Sequence, residues 1–332
     1  MFNFSSNINM NNRELYKQLC NTHPEIPLFM QYWWMEAACK PDSWNVLFCG
    51  DDDNTEAVLV FHIQEKLGIK RVIQPTLTQY NGIWINYPKD ISLDKRYDFE
   101  NRVMENLINQ LDAMNLDFYE QKFHYSFTNW QPFYWKQYKQ TTHYTYLIEN
   151  IADRDVVFAM MSHKKRQKKI LSSEDNFTLD TDMPINDFYE FCKNTIEKKQ
   201  HAPILYTFDT LRKIYDASVE RNQGMIFTIR DKENNIHCSL FTVWDDNSAY
   251  NLIIAINPKY KSSGASSCII WMVMDALKDK TLNYDFEGSM IQGVALKNQS
   301  YGAKQIPYSV ISKSSCKYNF IKSLRNLLHI GF

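Results

Sequence analysis

The stretch Lys261-Ser262-Ser263-Gly264-Ala265-Ser266 stands between an apolar strand pattern, NLIIAI, and an apolar helix pattern from Ser266 to Leu277. The first turn of a helix has unbonded N–H groups and a partial positive charge, so a loop of small residues there suits a diphosphate. Gly264 lets the backbone approach closely, the serines add hydroxyl donors, and Lys261 adds a cation. Taken alone, these residues read equally as an ordinary serine-capped helix. Asp285 and Glu287, in YDFEG, offer a carboxylate as general base on an attacking amine, Glu287 being favoured because it adjoins Gly288. Capping of neighbouring backbone is their other reading. Arg166, within SHKKRQKKI, offers a cation to a phosphate or carboxylate, although a charge run of this kind also makes a plain solvated helix face. Tyr80-Asn81-Gly82 reads either as the lining of an acceptor groove or as a simple Asn-Gly turn. His201, in the loop QHAP, stands as a lone histidine.

These residues need elements to position them. Alternation on either side of the polar turn Asp51-Asp52-Asp53-Asn54 predicts a hairpin, WNVLFCG with EAVLVFHIQ. PLFMQYWWMEAA predicts a helix that buries Trp33 and Trp34. Val103, Leu107, Leu111 and Met114 recur at helical spacing from about Asp98. In the second half a basic helix (Val156 to Leu171) precedes two further helices (Ile185 to Lys199 and Phe208 to Arg221). A meander of MIFTIRD, HCSLFTVWD and AYNLIIAI follows, broken by polar turns. Each half closes on helix, strand, aromatic helix and strand. The fold class is therefore α/β (α+β), in two domains, 1–150 and 151–332.

Of 332 residues, 44% are apolar and 23% charged, with a net charge of −1, a balance that excludes a disordered chain. Seven scattered cysteines without a CxxC pair exclude a cysteine zinc site and predict a reducing, cytoplasmic setting. No apolar run approaches ~20 residues, so no transmembrane segment is expected, and no secretory signal is visible at the start. GxSxG, HExxH, Walker and strand-GxGxxG patterns are absent, and no metal site is expected. Residues 1–150 hold 13 basic and 18 acidic side chains and residues 151–332 hold 24 and 20, which favours the second half for an anionic ligand. The overall balance offers DNA no attraction, and does not support a transfer RNA donor.

The strand–turn–helix resembles the acyl-CoA-binding element of the GNAT superfamily, whose loop reads Arg/Gln-x-x-Gly-x-Gly/Ala, here Lys261-x-x-Gly264-x-Ser266. The succession Tyr284-Asp285-Phe286-Glu287-Gly288, Gly293-Val294-Ala295 and Tyr301-Gly302-Ala303-Lys304-Gln305 resembles the C-terminal domain of Fem-type (FemAB-like) transferases. These are twin-GNAT-domain enzymes that add amino acids to peptidoglycan precursors. The basic run around Arg166 and Pro75 to Ile83 also resemble segments of that family. The resemblance implies two tandem GNAT-like domains, each a mixed, mostly antiparallel sheet flanked by helices. It implies an N-acyltransferase moving an acetyl or aminoacyl group from an activated carrier to an amine, with acyl-CoA as co-substrate and a small molecule or cell-wall precursor as acceptor. Lys261, Ser262, Gly264, Ala265 and Ser266 would bind the carrier, and Arg166, Tyr80, Asn81 and Tyr301 the substrate. No acyl-enzyme is expected, since no cysteine has a recognisable base nearby. Two departures stand out: Asn298 occupies a position where the family often has Lys or Tyr, and Lys261 replaces Arg or Gln. They suggest the alternative, a non-catalytic GNAT-like module that recognises a glycan or cell-wall precursor.

Overall fold

The computed structural model describes residues 6–51, 54–197 and 203–327. Asp52 and Asp53, of the expected turn, and Gln200, His201 and Ala202, of the expected loop, lie outside them. Packing divides the chain into two compact units, Met1–Thr142 with Tyr308–Phe332, and His143–Pro307. The sequence placed the division at residue 150, with the C-terminus in the second half.

The first unit contains α1 (Ser6–Thr22), α2 (Tyr32–Ala38), β1 (Trp44–Asp51), β2 (Asn54–Lys66), β3 (Ile69–Ile73) and β4 (Gly82–Ile85). Then come α3 (Leu93–Ala113), β5 (Phe118–Lys122), α4 (Gln131–Trp135) and, after the chain returns, α11 (Cys316–Leu327). The return is made by β12 (Lys304–Ser314), whose C-terminal part pairs antiparallel with β5 from Val310↔Lys122 to Ser314↔Phe118. The sheet order is β1-β2-β3-β5-β12, with β4 paired to β2; β3 and β5 run parallel and the other pairs antiparallel. The β1/β2 hairpin has the register Trp44↔His62 to Asp51↔Asn54. Helix α3 buries Val103, Met104, Leu107, Ile108 and Leu111 at the 3–4 spacing that puts them on one face. Trp34 is buried, its indole N–H donating to Thr78 Oγ1 at 2.9 Å, whereas Trp33 is only half-buried.

The second unit takes β6 (Lys139–Ile148) from His143 onward, then α5 (Arg154–Met160), α6 (Lys168–Ser173), β7 (Thr178–Asp180), α7 (Ile185–Cys192) and α8 (Phe208–Glu220). The meander β8 (Gly224–Arg230), β9 (Ile236–Trp244) and β10 (Ser248–Ile256) leads to α9 (Ala265–Leu277), β11 (Asn283–Asp285) and α10 (Gln292–Gln299). Strand order is β6-β11-β10-β9-β8-β7, with β10 and β11 parallel and the rest antiparallel. A parallel pair needs a crossover, and α9 supplies it. That explains its composition: Ala265, Cys268, Ile269, Ile270, Val273, Met274 and Leu277 are all buried, each large aliphatic contributing about 1.5–3 kcal/mol.

The basic segment departs from the continuous helix expected over Val156 to Leu171. It breaks at Met161, which is extended (ψ 146°), and resumes as a π turn, His163–Gln167, before α6. Gln167 and Lys168 donate their N–H to the carbonyls five residues back, Ser162 and His163. The inward residues Val157, Met161, Arg166 and Ile170 are spaced four, five and four apart. The five-step spans the break at Met161 and Ser162; Arg166, four residues before the buried Ile170, shares its inward face, while Lys164, Lys165, Lys168 and Lys169 stay exposed. Desolvating a lysine without a partner would cost several kcal/mol. Among the described residues no helix is long and apolar enough to cross a membrane.

Candidate functional site

The site is built around the N-terminus of α9. After β10, Asn257 Oδ1 accepts the N–H of Lys259 at 3.1 Å and starts a short 3-10 turn, Pro258–Tyr260. Lys261 and Ser262 follow, both exposed. Gly264 adopts φ +92°, a conformation favoured by glycine, and its carbonyl accepts the N–H groups of Ser267 (2.8 Å) and Cys268 (3.2 Å). The Ala265 N–H donates to Ser263 Oγ at 3.3 Å, while the N–H groups of Gly264 and Ser266 have no hydrogen-bond partner among the described residues. The side of Gly264 where a side chain would stand is covered. A Cβ there would lie 2.6 Å from Ser173 Oγ, so α6 passes directly over the loop.

Two expected ligand-binding residues hold this helix start from beneath. Tyr301 is fully buried and donates its hydroxyl to the Ser266 carbonyl at 3.1 Å. Burial pushes the Tyr301 pKa up to about 12, partly opposed by the charge of Arg166, so the phenol stays protonated and donates. The Arg166 guanidinium lies 4.2 Å from the Tyr301 ring centroid. Its Nε donates to Ser300 Oγ at 2.7 Å, Nη1 to Ser267 Oγ at 2.8 Å and Nη2 to the Lys297 carbonyl at 3.5 Å. Arg166, expected to meet a ligand anion, instead ties α9 to the C-terminal end of α10. The four lysines beside it face solvent.

A third support was not legible in the sequence. His237, near the start of β9, has Nδ1 2.9 Å from Ser263 Oγ and Nε2 3.0 Å from Asp231 Oδ2. Residues 231, 237 and 263 carry no recognisable motif; only the β8–β9–β10 register brings them together. That register was in principle available from the meander, because the Asn257 N–H bonds to the His237 carbonyl at 2.9 Å, just past the paired ends of β9 and β10.

The expected carboxylate pair is split by environment. Strand β11 ends at Asp285, which is fully buried; the Thr145 hydroxyl donates to it, and the Glu287 N–H does so at 2.7 Å. Its carboxylate therefore organises the turn into Glu287 (φ +58°) and Gly288 (φ +59°). A Cβ on Gly288 would lie 2.2 Å from the Tyr144 carbonyl, so the turn is pressed against β6. Glu287 is half-buried. Asn298, the position that departs from the family pattern, is buried. Tyr80 and Asn81, expected to line an acceptor groove, are both fully buried in the first unit. Asn81 forms no Asn-Gly turn: it bridges to Phe123, and its Oδ1 accepts the Gln121 amide at 2.9 Å, while Gly82 opens β4. His201 lies outside the described residues. Among those described, no group of three or more His, Cys, Asp or Glu side chains is placed to hold a metal ion.

This architecture is shared with solved structures at low sequence identity. FemX is similar with a TM-score of 0.65 and 10% identity, over 90% of this chain and 95% of that one. L-PGS from Bacillus licheniformis is similar at 0.51 and 10% identity, over 85% and 88% of the two chains. A tandem GNAT protein from the clavulanic acid biosynthesis pathway is similar at 0.51 and 8% identity, over 93% and 95%. The sequence matches no protein-family profile and no curated protein. The chain has the GNAT-like, Fem-type fold seen in these structures.

Proposed function

We propose that the chain is an N-acyltransferase, moving an acetyl or aminoacyl group from an activated carrier to an amine, with acyl-CoA as the carrier. The observation that supports this most directly is the start of α9, where the N–H groups of Gly264 and Ser266 are unpartnered among the described residues and Lys261 and Ser262 lie exposed beside them. The helix dipole contributes only ~0.3–1 kcal/mol to an anion, so the N–H groups and Lys261 must act together on the carrier's diphosphate. Glu287 is the better candidate for a base on the amine, because the Asp285 carboxylate is occupied by Thr145 and the Glu287 N–H. A small amine or a cell-envelope precursor would be the acceptor.

Calorimetry with CoA and acetyl-CoA tests the reading. Binding by the wild type is expected, weakened several-fold by Lys261→Ala, with a shallower salt dependence in the variant. Absence of CoA binding would reduce the loop to a helix cap. One observation favours the second reading, a non-catalytic module for a glycan or cell-wall precursor: Ser173 closes over Gly264. Thermal stabilisation by such a precursor and not by CoA would select it.

A further inference from the structure

Asp231, His237 and Ser263 form one hydrogen-bonded chain that acyl-CoA binding does not require. Asp231 stands at the end of β8 and accepts the N–H groups of Glu233 (3.1 Å) and Asn235 (2.8 Å), along with the Asn235 side-chain amide. Burial pushes its carboxyl up, but the bonds from His237 and Asn235 outweigh that and hold it at about 2, so it is ionised at neutral pH. The His237 side chain is 7% exposed. Tyr260 stacks on its ring at 4.0 Å and 14°, and Phe177 meets it edge-on at 5.0 Å. A ring so clamped cannot turn. Because an ionised carboxylate only accepts, Nε2 carries the proton, and Nδ1 is left to accept from the Ser263 hydroxyl.

We propose that Ser263 is a nucleophile with His237 as its general base and Asp231 as the positioning residue, acting on an activated acyl ester or thioester. Ser263 Oγ attacks the carbonyl carbon while its proton passes to His237 Nδ1. The C–O or C–S bond then breaks, and the alcohol or thiol leaves with the proton from the imidazolium. Water attacks the acyl-serine by the same route, releasing the carboxylic acid and restoring the serine. The N–H of Gly264, directly after the nucleophile, and that of Ser266 are unpartnered among the described residues, and they stand at the positive end of a 13-residue helix. They are the donors an oxyanion would need. Ser263 lies near the end of the loop 257–264 between β10 and α9, just before the left-handed Gly264, and such constellations are recognised by geometry rather than by residue order. An ester at Ser263 and a diphosphate at Gly264 and Ser266 would use the same N–H groups, so the two are alternative occupants, and this inference stands without the acyl-CoA reading.

The test is covalent labelling of the whole chain with a fluorophosphonate probe, the modified peptide being located by mass spectrometry. One label per chain on Ser263 is expected, lost in Ser263→Ala. In Asp231→Asn the amide can donate to Nε2 and impose the wrong tautomer, so the labelling rate should fall by about a hundredfold or more while the probe concentration giving half-maximal rate stays unchanged. A wild type that takes no label, a label that survives Ser263→Ala, or an Asp231→Asn variant that keeps the wild-type rate would each overturn the proposal. Because the label is read on the wild type, poor folding of a variant does not blunt the test. CoA binding is measured separately by calorimetry, so its failure and this one are distinguishable.

Discussion

Gly264 is held in the left-handed region at φ +92°, and a Cβ there would lie 2.6 Å from Ser173 Oγ. Both facts constrain how the loop can be probed. A bulky residue such as valine would disturb the fold before it blocked a ligand, so substitution there cannot isolate binding. Gly264→Ala is expected to cost about 1–3 kcal/mol through backbone strain alone, read as a fall in the urea midpoint. Adding Ser173→Gly should recover the steric part and not the strain; full recovery would mean the backbone relaxes out of the left-handed region. Lys261, exposed directly after the 3-10 turn that follows β10, is the side chain whose removal should change anion binding and leave stability alone.

At the scale of elements, the segment from α5 to α6 shows how helix phase decides a side chain's role. The chain leaves the helix at Met161 and Ser162, and Arg166, four residues before the buried Ile170, shares that residue's inward face. Arg is also the residue that can serve there, since its planar fork reaches Ser300, Ser267 and the Lys297 carbonyl together. Arg166→Lys is expected to lose about 2 kcal/mol, because a single ammonium leaves some of these acceptors without a donor. Lys165→Ala, on the exposed face, should change stability by less than about 0.5 kcal/mol. Equal urea midpoints for the two variants would refute the clamp.

For the molecule as a whole, acid should be destabilising well above the usual carboxylate range. His62 and His124, both in the first unit, are buried. Burial holds the pKa of each at about 4, with the charge of Arg71 adding to the effect on His62. The unfolded chain takes up these protons near pH 6.5 and the folded chain does not until about 4. Their contribution to stability is therefore complete above pH 6.5 and is lost as pH falls towards 4, at most about 3 kcal/mol for each histidine. The urea midpoint should drop between pH 7 and 4.5, and His124→Gln should flatten that drop. A midpoint unchanged across this window would show that the two rings are protonated without unfolding.

The sequence by itself determined whatever depends on near neighbours. The β1/β2 hairpin, the β8–β10 meander, the apolar α9 and the small-residue loop before it were all legible, because alternation, helical spacing and turn residues are properties of adjacent positions. The short strands β3 and β4 were not, since five residues with one fully buried, or four after an irregular segment, carry too little pattern. Only the tertiary structure decided which polar groups face a ligand and which support the core. Tyr80, Asn81, Asp285 and Tyr301 were chosen by chemical type or by family resemblance, and all four are fully buried, because the elements that cover them come from distant parts of the chain. The same physics hid the one new constellation. A bond between Ser263 and His237 depends on where the loop after β10 is delivered, which residue spacing along the chain does not encode.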